Sequence, residues 1–356
     1  MRHRRVRVLT LVVAAAPGGC RPAPIQYPDP PPTAGCDSTV SYLFLVHENL
    51  PLASTWEDYF SGCEPGSYTV HMHWQSPFNS TARQEVRRRL YGARFLGEPV
   101  QGDLRFSYKM QEAMLKLYAD AESTLAPNGC KPQWAKLVSE SCAPLARCHE
   151  IHGYLASQQG VSQFKAGMME DRHPEFKARA PAGWPAEVPF WKASQWSTLW
   201  MDHVRLLIEH AAEGRRRWQH TLCPDEHYNI NELSRLGAQL STESNASTED
   251  LWRATWLDPR EDMDGCNPVK EPCDPQTQQP FPEHPRTFLC SPEAVRLSEE
   301  STGLPPQAHG HRSIEEFDLF IDYALNQRGH YFGRKFDGSC AGLLSRRASG
   351  AGTPAG

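Results

Sequence analysis

Two periodicities of apolar residues alternate along this chain. VSYLFLVHENL (40–50) has the nearly unbroken apolar run of a buried strand and ends at the polar His47-Glu48-Asn49. SYTVHMHW (67–74) is of the same kind, with His71 and His73 on one face by the period of two. QWAKLVSESCAPL (133–145) is a third such segment and stops at Ser139-Glu140-Ser141. All three predict buried strands. Between them the spacing becomes helical: WEDYF (56–60) lies in a short helical pattern, and YKMQEAMLKLYADAESTL (108–125) joins helical apolar spacing to good helix formers. IHGYLAS (151–157) reads as helix, WKASQWSTLWMDHVRLLIEHAAEG (191–214) as a short strand running into an amphipathic helix, and RGHYFGRKFD (328–337) as a final strand.

Strand and helix in alternation imply parallel crossovers and an α/β sandwich, in which ligands sit off the C-terminal ends of the strands. Those ends here are His47, His73 and Glu140. Residues 164–189 are polar and proline-broken, as expected of loops over a cleft. Residues 258–286 form a long insertion rich in Pro and Asp, and residues 342–356 read as a disordered tail. No internal repeat is evident.

The N-terminus adds a destination. A basic cluster is followed by a short apolar run over 8–16 that cannot cross a ~30 Å hydrocarbon core as a helix, so residues 1–20 read as a signal peptide or a truncated signal anchor. A proline-rich stem (21–35) then separates it from a domain spanning 36–341. Eleven cysteines fit an oxidising compartment, where loss of Cys20 with a signal leaves ten; their pairing cannot be read from spacing. The sequons at Asn79 and Asn245 agree with a secretory route. The formal charge of -5, with no large basic block, gives no reason to expect nucleic acid as a partner. Ten tryptophans offer stacking surface suited to sugars as well as to a core.

The densest chemistry lies in LCPDEHYNINEL (222–233). Pro224 at a first helical position, with Asp225 and Glu226 behind it, suits the start of a helix. The row Glu226, His227, Tyr228 exceeds what a helix start needs. A capping role and a catalytic carboxylate therefore both stand. An H-E-x-x-H motif is absent, and His71 with His73 is too small a ligand set, so a metal-dependent hydrolase is disfavoured.

Taken together, YLFLVHENLPLASTWEDYF (42–60), SYTVHMH (67–73), KLVSESCAPL (136–145), FWKASQW (190–196), CPDEHY (223–228), ATWLD (254–258), HPRTF (284–288) and HYFGRKF (330–336) resemble, in this order, the core-2/I-branching β-1,6-N-acetylglucosaminyltransferase family (glycosyltransferase family 14). The plant and algal branch is the nearest match. The resemblance implies a GT-A-like α/β fold with a mixed, mostly parallel sheet flanked by helices. It also implies a Golgi-lumenal, type II anchored or secreted enzyme that transfers a sugar from a UDP-sugar donor, UDP-N-acetylglucosamine foremost, to a glycan or glycoprotein acceptor with inversion. UDP-glucuronic acid or UDP-xylose as donor, or a non-catalytic glycan-binding protein that keeps the fold, are the alternatives.

By the same resemblance Glu226 is the general base. Lys335 and Arg312, with Arg334 beside them, meet the diphosphate in place of a metal ion, so no cofactor is implied. Val46, His47 and His71 fall on the donor side, and Glu140, Ser194, Gln195, Trp196 and Asp225 on the acceptor side. Where many GT-A enzymes carry D-x-D, the strand end here reads Ser139-Glu140-Ser141. The only D-x-D, Asp262-Met263-Asp264, lies in the insertion and reads as a solvated loop. The histidines and Asp225 each keep a purely structural alternative: a satisfied hydrogen bonder for the former, a helix cap for the latter.

Overall fold

The VSYLFLV run forms β1 (Val40–Val46), buried along its whole length. A computed structural model of the chain describes residues 36–242, apart from 37, 76–79, 91, 98–99, 101–103, 105–106, 169–178 and 186–187, and residues 332–348, apart from 334, 335 and 337. The signal, the stem, the sequon residues Asn79 and Asn245, the D-x-D triplet, Arg312, Arg334 and Lys335 lie outside the described residues.

The elements follow the expected alternation: α1 (Ala53–Ser61), β2 (Tyr68–Trp74), α2 (Ser80–Arg89), β3 (Arg94–Phe95), α3 (Tyr108–Glu122), β4 (Trp134–Ser139), β5 (Ala143–Pro144) and α4 (Cys148–Ala156). Then come β6 (Ser162–Phe164), β7 (Ala166–Met168), β8 (Trp191–Ala193), β9 (Thr198–Trp200), α5 (Met201–Glu209), α6 (Ala211–Trp218), α7 (Tyr228–Arg235), β10 (Leu240–Thr242), β11 (Phe332–Gly333) and α8 (Ala341–Ala348). Seven strands make the main sheet in the order β10-β6-β9-β4-β1-β2-β3. β1 pairs in parallel with β2 and β4, β2 with β3, and β6 with β10, while β9 runs antiparallel to both its neighbours. This is the mixed, mostly parallel α/β sheet that the resemblance implied.

Register assigns the faces. Tyr42 of β1, level with Lys136 of β4, packs edge-on against Trp56, Tyr59 and Phe60 of α1 at 5.7, 5.7 and 5.2 Å. Its hydroxyl meets Tyr59 Oη at 2.5 Å and His152 Nε2 of α4 at 3.1 Å. The neighbouring pair Leu43 and His71 faces the other way, and His71 bonds to Asp120 of α3. Consecutive strand residues point to opposite faces, so α1 and α4 cover one side and α3 the other.

Two disulfides pin the layers, Cys36–Cys130 and Cys63–Cys148, with sequence separations of 94 and 85. Bridges over loops this long typically add about 2–4 kcal/mol by restricting the unfolded chain. Cys340 is also disulfide-bonded, while Cys142 and Cys223 are free buried thiols. Among the described residues no helix is long and apolar enough to cross a membrane.

Two expectations change. The tail expected to be disordered from 342 onward begins instead as α8, with Leu344 buried, Leu343 packed on the core and Thr55 Oγ1 donating to Ala341 O at 3.2 Å. Its Gly, Ser and Ala content concealed two leucines that dock on α1. The segment from 191 holds two strands, β8 and β9, in separate sheets, because Ser194–Ser197 turn the chain between them.

Gly214, inside α6, is required by packing. A Cβ there would stand 2.2 Å from Tyr228 Oη and 2.7 Å from two ring carbons, and Tyr228 is fully buried against Trp218. Gly214→Ala is expected to lower stability by about 2 kcal/mol despite its better helix propensity, read as a fall of several degrees in thermal midpoint. An unchanged midpoint would contradict this contact.

Candidate active site

The strands β1, β2, β4 and β6 end on one edge of the sheet, at Val46, Trp74, Ser139 and Phe164. Beyond that edge β7 and β8 pair as an antiparallel ribbon, and Ser194 N–H donates to Lys165 O at 2.8 Å where the ribbon meets the sheet. The Pro-Asp-Glu segment lies over this ribbon. Cys223 has a left-handed φ of 48°, uncommon for a residue with a side chain. Pro224 then opens a single 3-10 turn, Pro224–Glu226, which breaks at His227 (φ -132°) before α7 begins. The segment is thus a turn plus a new helix, where the sequence suggested one continuous helix. The break leaves Glu226 partly exposed and directs His227 inward.

Glu226 is held from one side only. Its Oε2 accepts a hydrogen bond from Arg179 Nη1 at 2.8 Å and lies 3.7 Å from Lys192 Nζ on β8. Among the described residues Oε1 has no partner, and the side chain is 35% exposed against 11% for Arg179. Arg179 is fixed in turn by His227. Because the Trp191 carbonyl can only accept, His227 Nδ1 carries the proton and donates to it at 2.8 Å, leaving Nε2 to accept from Arg179 Nη1 at 3.4 Å. Burial holds His227 down to about 4, so the ring is neutral at physiological pH. It stacks on Phe190 at 5.0 Å. Asn231 ties the same strand to α7, accepting from Trp191 N–H at 2.8 Å and donating to Trp191 O and His227 O, both at 2.7 Å.

Asp225, next in sequence, has the opposite surroundings. Its Oδ1 is buried without a hydrogen-bond partner, and burial, followed by repulsion from Glu226, pushes its carboxyl up to about 7. Two neighbouring carboxylates thus have different settings: Glu226 lies beside Arg179 and Lys192 and is partly exposed, while Asp225 is buried and prone to hold a proton. Asp225 Oδ1, having no hydrogen-bond partner, caps no helix.

The other sequence candidates separate by geometry. Val46 is buried and its carbonyl accepts Gln75 N–H, while His47, just past it, is 54% exposed beside Glu48 at the strand edge. His71 sits mid-strand rather than at a strand end, fully buried, with Nδ1 on Asp120 Oδ2 at 2.6 Å and Nε2 on Thr69 Oγ1 at 2.9 Å. Both ring nitrogens are thereby engaged, the structural alternative for this residue. His73 is also buried and accepts Val100 N–H. Glu140 lies half-buried at the end of β4, next to Ser141, whose carbonyl accepts Phe336 N–H at 3.1 Å. β11 pairs with β5, so the residues on both sides of Arg334 and Lys335 flank this edge. Ser194 Oγ accepts Trp196 N–H at 3.3 Å, and the carbonyl of Gln195 accepts Ser197 N–H. Trp196 itself is largely buried in the core, which leaves little ring surface for a sugar.

Arg179 and Lys192 were missed as partners of Glu226. Lys192 lay inside the quoted FWKASQW, but Arg179 stands 47 positions before Glu226 in a proline-broken stretch with no local signal. The one grouping of metal-type ligands among the described residues, Cys63, Cys148 and His152, has its sulfurs in a disulfide and its imidazole on Tyr42.

A family model described as Branch, core-2/I-branching enzyme, matches residues 40–280. Glycosyltransferase BC10 of Oryza sativa subsp. japonica is 25% identical over 244 residues, which are 61% of this chain and 58% of the rice protein, so the chain spans less than two thirds of that relative. Among solved structures, the galactosyltransferase LgtC with donor and acceptor sugar analogues aligns over 56% of this chain and 73% of its own, at 9% identity and a TM-score of 0.35. Mouse xyloside xylosyltransferase 1 aligns over 82% and 97%, at 9% identity and 0.31.

Proposed function

The chain belongs to the core-2/I-branching enzyme family, and from that premise we propose that it is a nucleotide-sugar-dependent glycosyltransferase that inverts the donor sugar, with Glu226 as the general base, and works without a metal ion. The observation that carries this is the asymmetric seating of Glu226: Oε2 is anchored by Arg179, and Oε1 has no hydrogen-bond partner among the described residues. In the proposed step the acceptor hydroxyl gives its proton to Oε1 while its oxygen bonds to C1 of the donor sugar. The bond from C1 to the diphosphate oxygen breaks on the opposite face, and UDP leaves with the electron pair. The advantage of this carboxylate is position and timing with the departing diphosphate.

Charge developing on the diphosphate is assigned to Lys335 and Arg312, whose cations replace a divalent ion. UDP-N-acetylglucosamine is the proposed donor and a glycan hydroxyl the acceptor. Residence in an oxidising secretory lumen such as the Golgi is supported by the disulfides Cys36–Cys130 and Cys63–Cys148. The test is transfer from a panel of UDP-sugars to glycan acceptors, with and without excess chelator. Transfer from UDP-N-acetylglucosamine that survives chelation is expected. Activity abolished by chelator and restored by manganese would overturn the metal-free reading, and preference for UDP-glucuronic acid or UDP-xylose would replace the donor.

A further inference from the structure

Every residue of β4, WAKLVS, is buried, yet its third position is a lysine. Lys136 is 1% exposed, and no carboxylate among the described residues pairs with it. Its Nζ donates to the carbonyl of Trp196 at 3.1 Å and stands 4.6 Å from the centre of the Phe332 ring, with Cys142 as the titratable group acting on it. Burial draws its ammonium down to about 7. A buried cation without a counter-ion destabilises a fold, and an apolar side chain of equal length would fill the space at less cost.

What the lysine adds is a junction. Trp196 closes the segment that begins at β8, where Lys192 meets Glu226, and passes through Ser194 and Gln195. Phe332 belongs to β11, immediately before Arg334 and Lys335 in sequence. One ammonium therefore touches, from within the sheet, the segment bearing the base side of the site and the strand leading to the proposed phosphate side.

We propose that Lys136 is a positioning residue for transfer, holding the 191–196 segment and the strand at Phe332 in fixed relation so that base and phosphate-binding groups meet one bound donor. The inference rests on the functional reading given above. It contacts no substrate and acts through Trp196 and Phe332.

Lys136→Met keeps the length and removes the charge. The thermal midpoint is expected to stay or rise, while kcat falls by about tenfold or more through small misplacement of reacting groups. KM for donor and for acceptor should each change by less than about threefold, since each half of the site remains intact. Phe332→Leu, which keeps apolar bulk and removes the aromatic face, should lower kcat in the same direction with an unchanged midpoint. A Lys136→Met protein with wild-type kcat overturns the proposal, as does one in which kcat and midpoint fall together, or a Phe332→Leu protein with full kcat. The wild-type protein, assayed in parallel, separates the two readings. Its failure to transfer from any UDP-sugar defeats the functional reading and this inference with it, whereas normal transfer by both wild type and Lys136→Met defeats this inference alone.

Discussion

Glu226→Gln is expected to leave a folded protein that binds UDP as the wild type does and has lost roughly 10²- to 10⁴-fold in transfer rate. The amide keeps the size of the carboxylate, and its oxygen can still accept from Arg179 Nη1, now 2.8 Å from Oε2, so the Arg179–His227–Trp191 arrangement has no reason to move. What disappears is the proton acceptor. A group acting only in the transition state lowers kcat and kcat/KM together, with KM nearly constant. Initial rates, UDP affinity and thermal midpoint measured on one preparation decide the matter. A Gln variant that transfers sugar at the wild-type rate would reduce Glu226 to a surface partner of Arg179.

The sheet was legible because its strands are long and buried on both faces. VSYLFLV and YTVHMHW are both buried at nearly every position, and the stretches that read as strand, 40–50 and 67–74, contain the observed Val40–Val46 and Tyr68–Trp74. β5, β7, β8 and β9 are two or three residues each, too short for any period to show, and β9 runs against the sheet's direction. Glu226 stood out as a candidate for a different reason: four ionisable or aromatic residues follow Pro224, and a run of resembling segments surrounds them. Its setting was not legible. The contact with Arg179 joins distant segments, and the break at His227 depends on a left-handed Cys223, which composition does not announce. His71 shows the converse. Period two correctly put it on a face with His73, but only the fold brings Asp120 and Thr69 to its two nitrogens.

Asp225→Asn is expected to stabilise the protein increasingly as pH rises from about 4 to about 7, by on the order of 3 kcal/mol at the upper end. The carboxyl is pushed up from 3.8 to about 7 by burial and by Glu226, with Arg179 opposing. Across that window the folded chain holds a proton that the unfolded chain has released, so the wild type loses stability as pH increases and the loss levels off above about 7. Asparagine cannot ionise, and its amide can occupy the same site without charge, so the variant escapes this loss. Below pH 4 the carboxyl is protonated in both states and the difference should shrink toward the small effect of an Asp to Asn exchange. The sign matters because a helix cap predicts the reverse: an ionised Asp at a helix start stabilises, and its replacement by Asn would bring no gain with rising pH. Chemical denaturation of both proteins at pH 4, 6 and 8 distinguishes the two. A variant equal to or less stable than wild type at pH 8 would mean that Asp225 is ionised and satisfied in the native protein, and that the two carboxylates at the turn are not divided into a charged base and a buried acid.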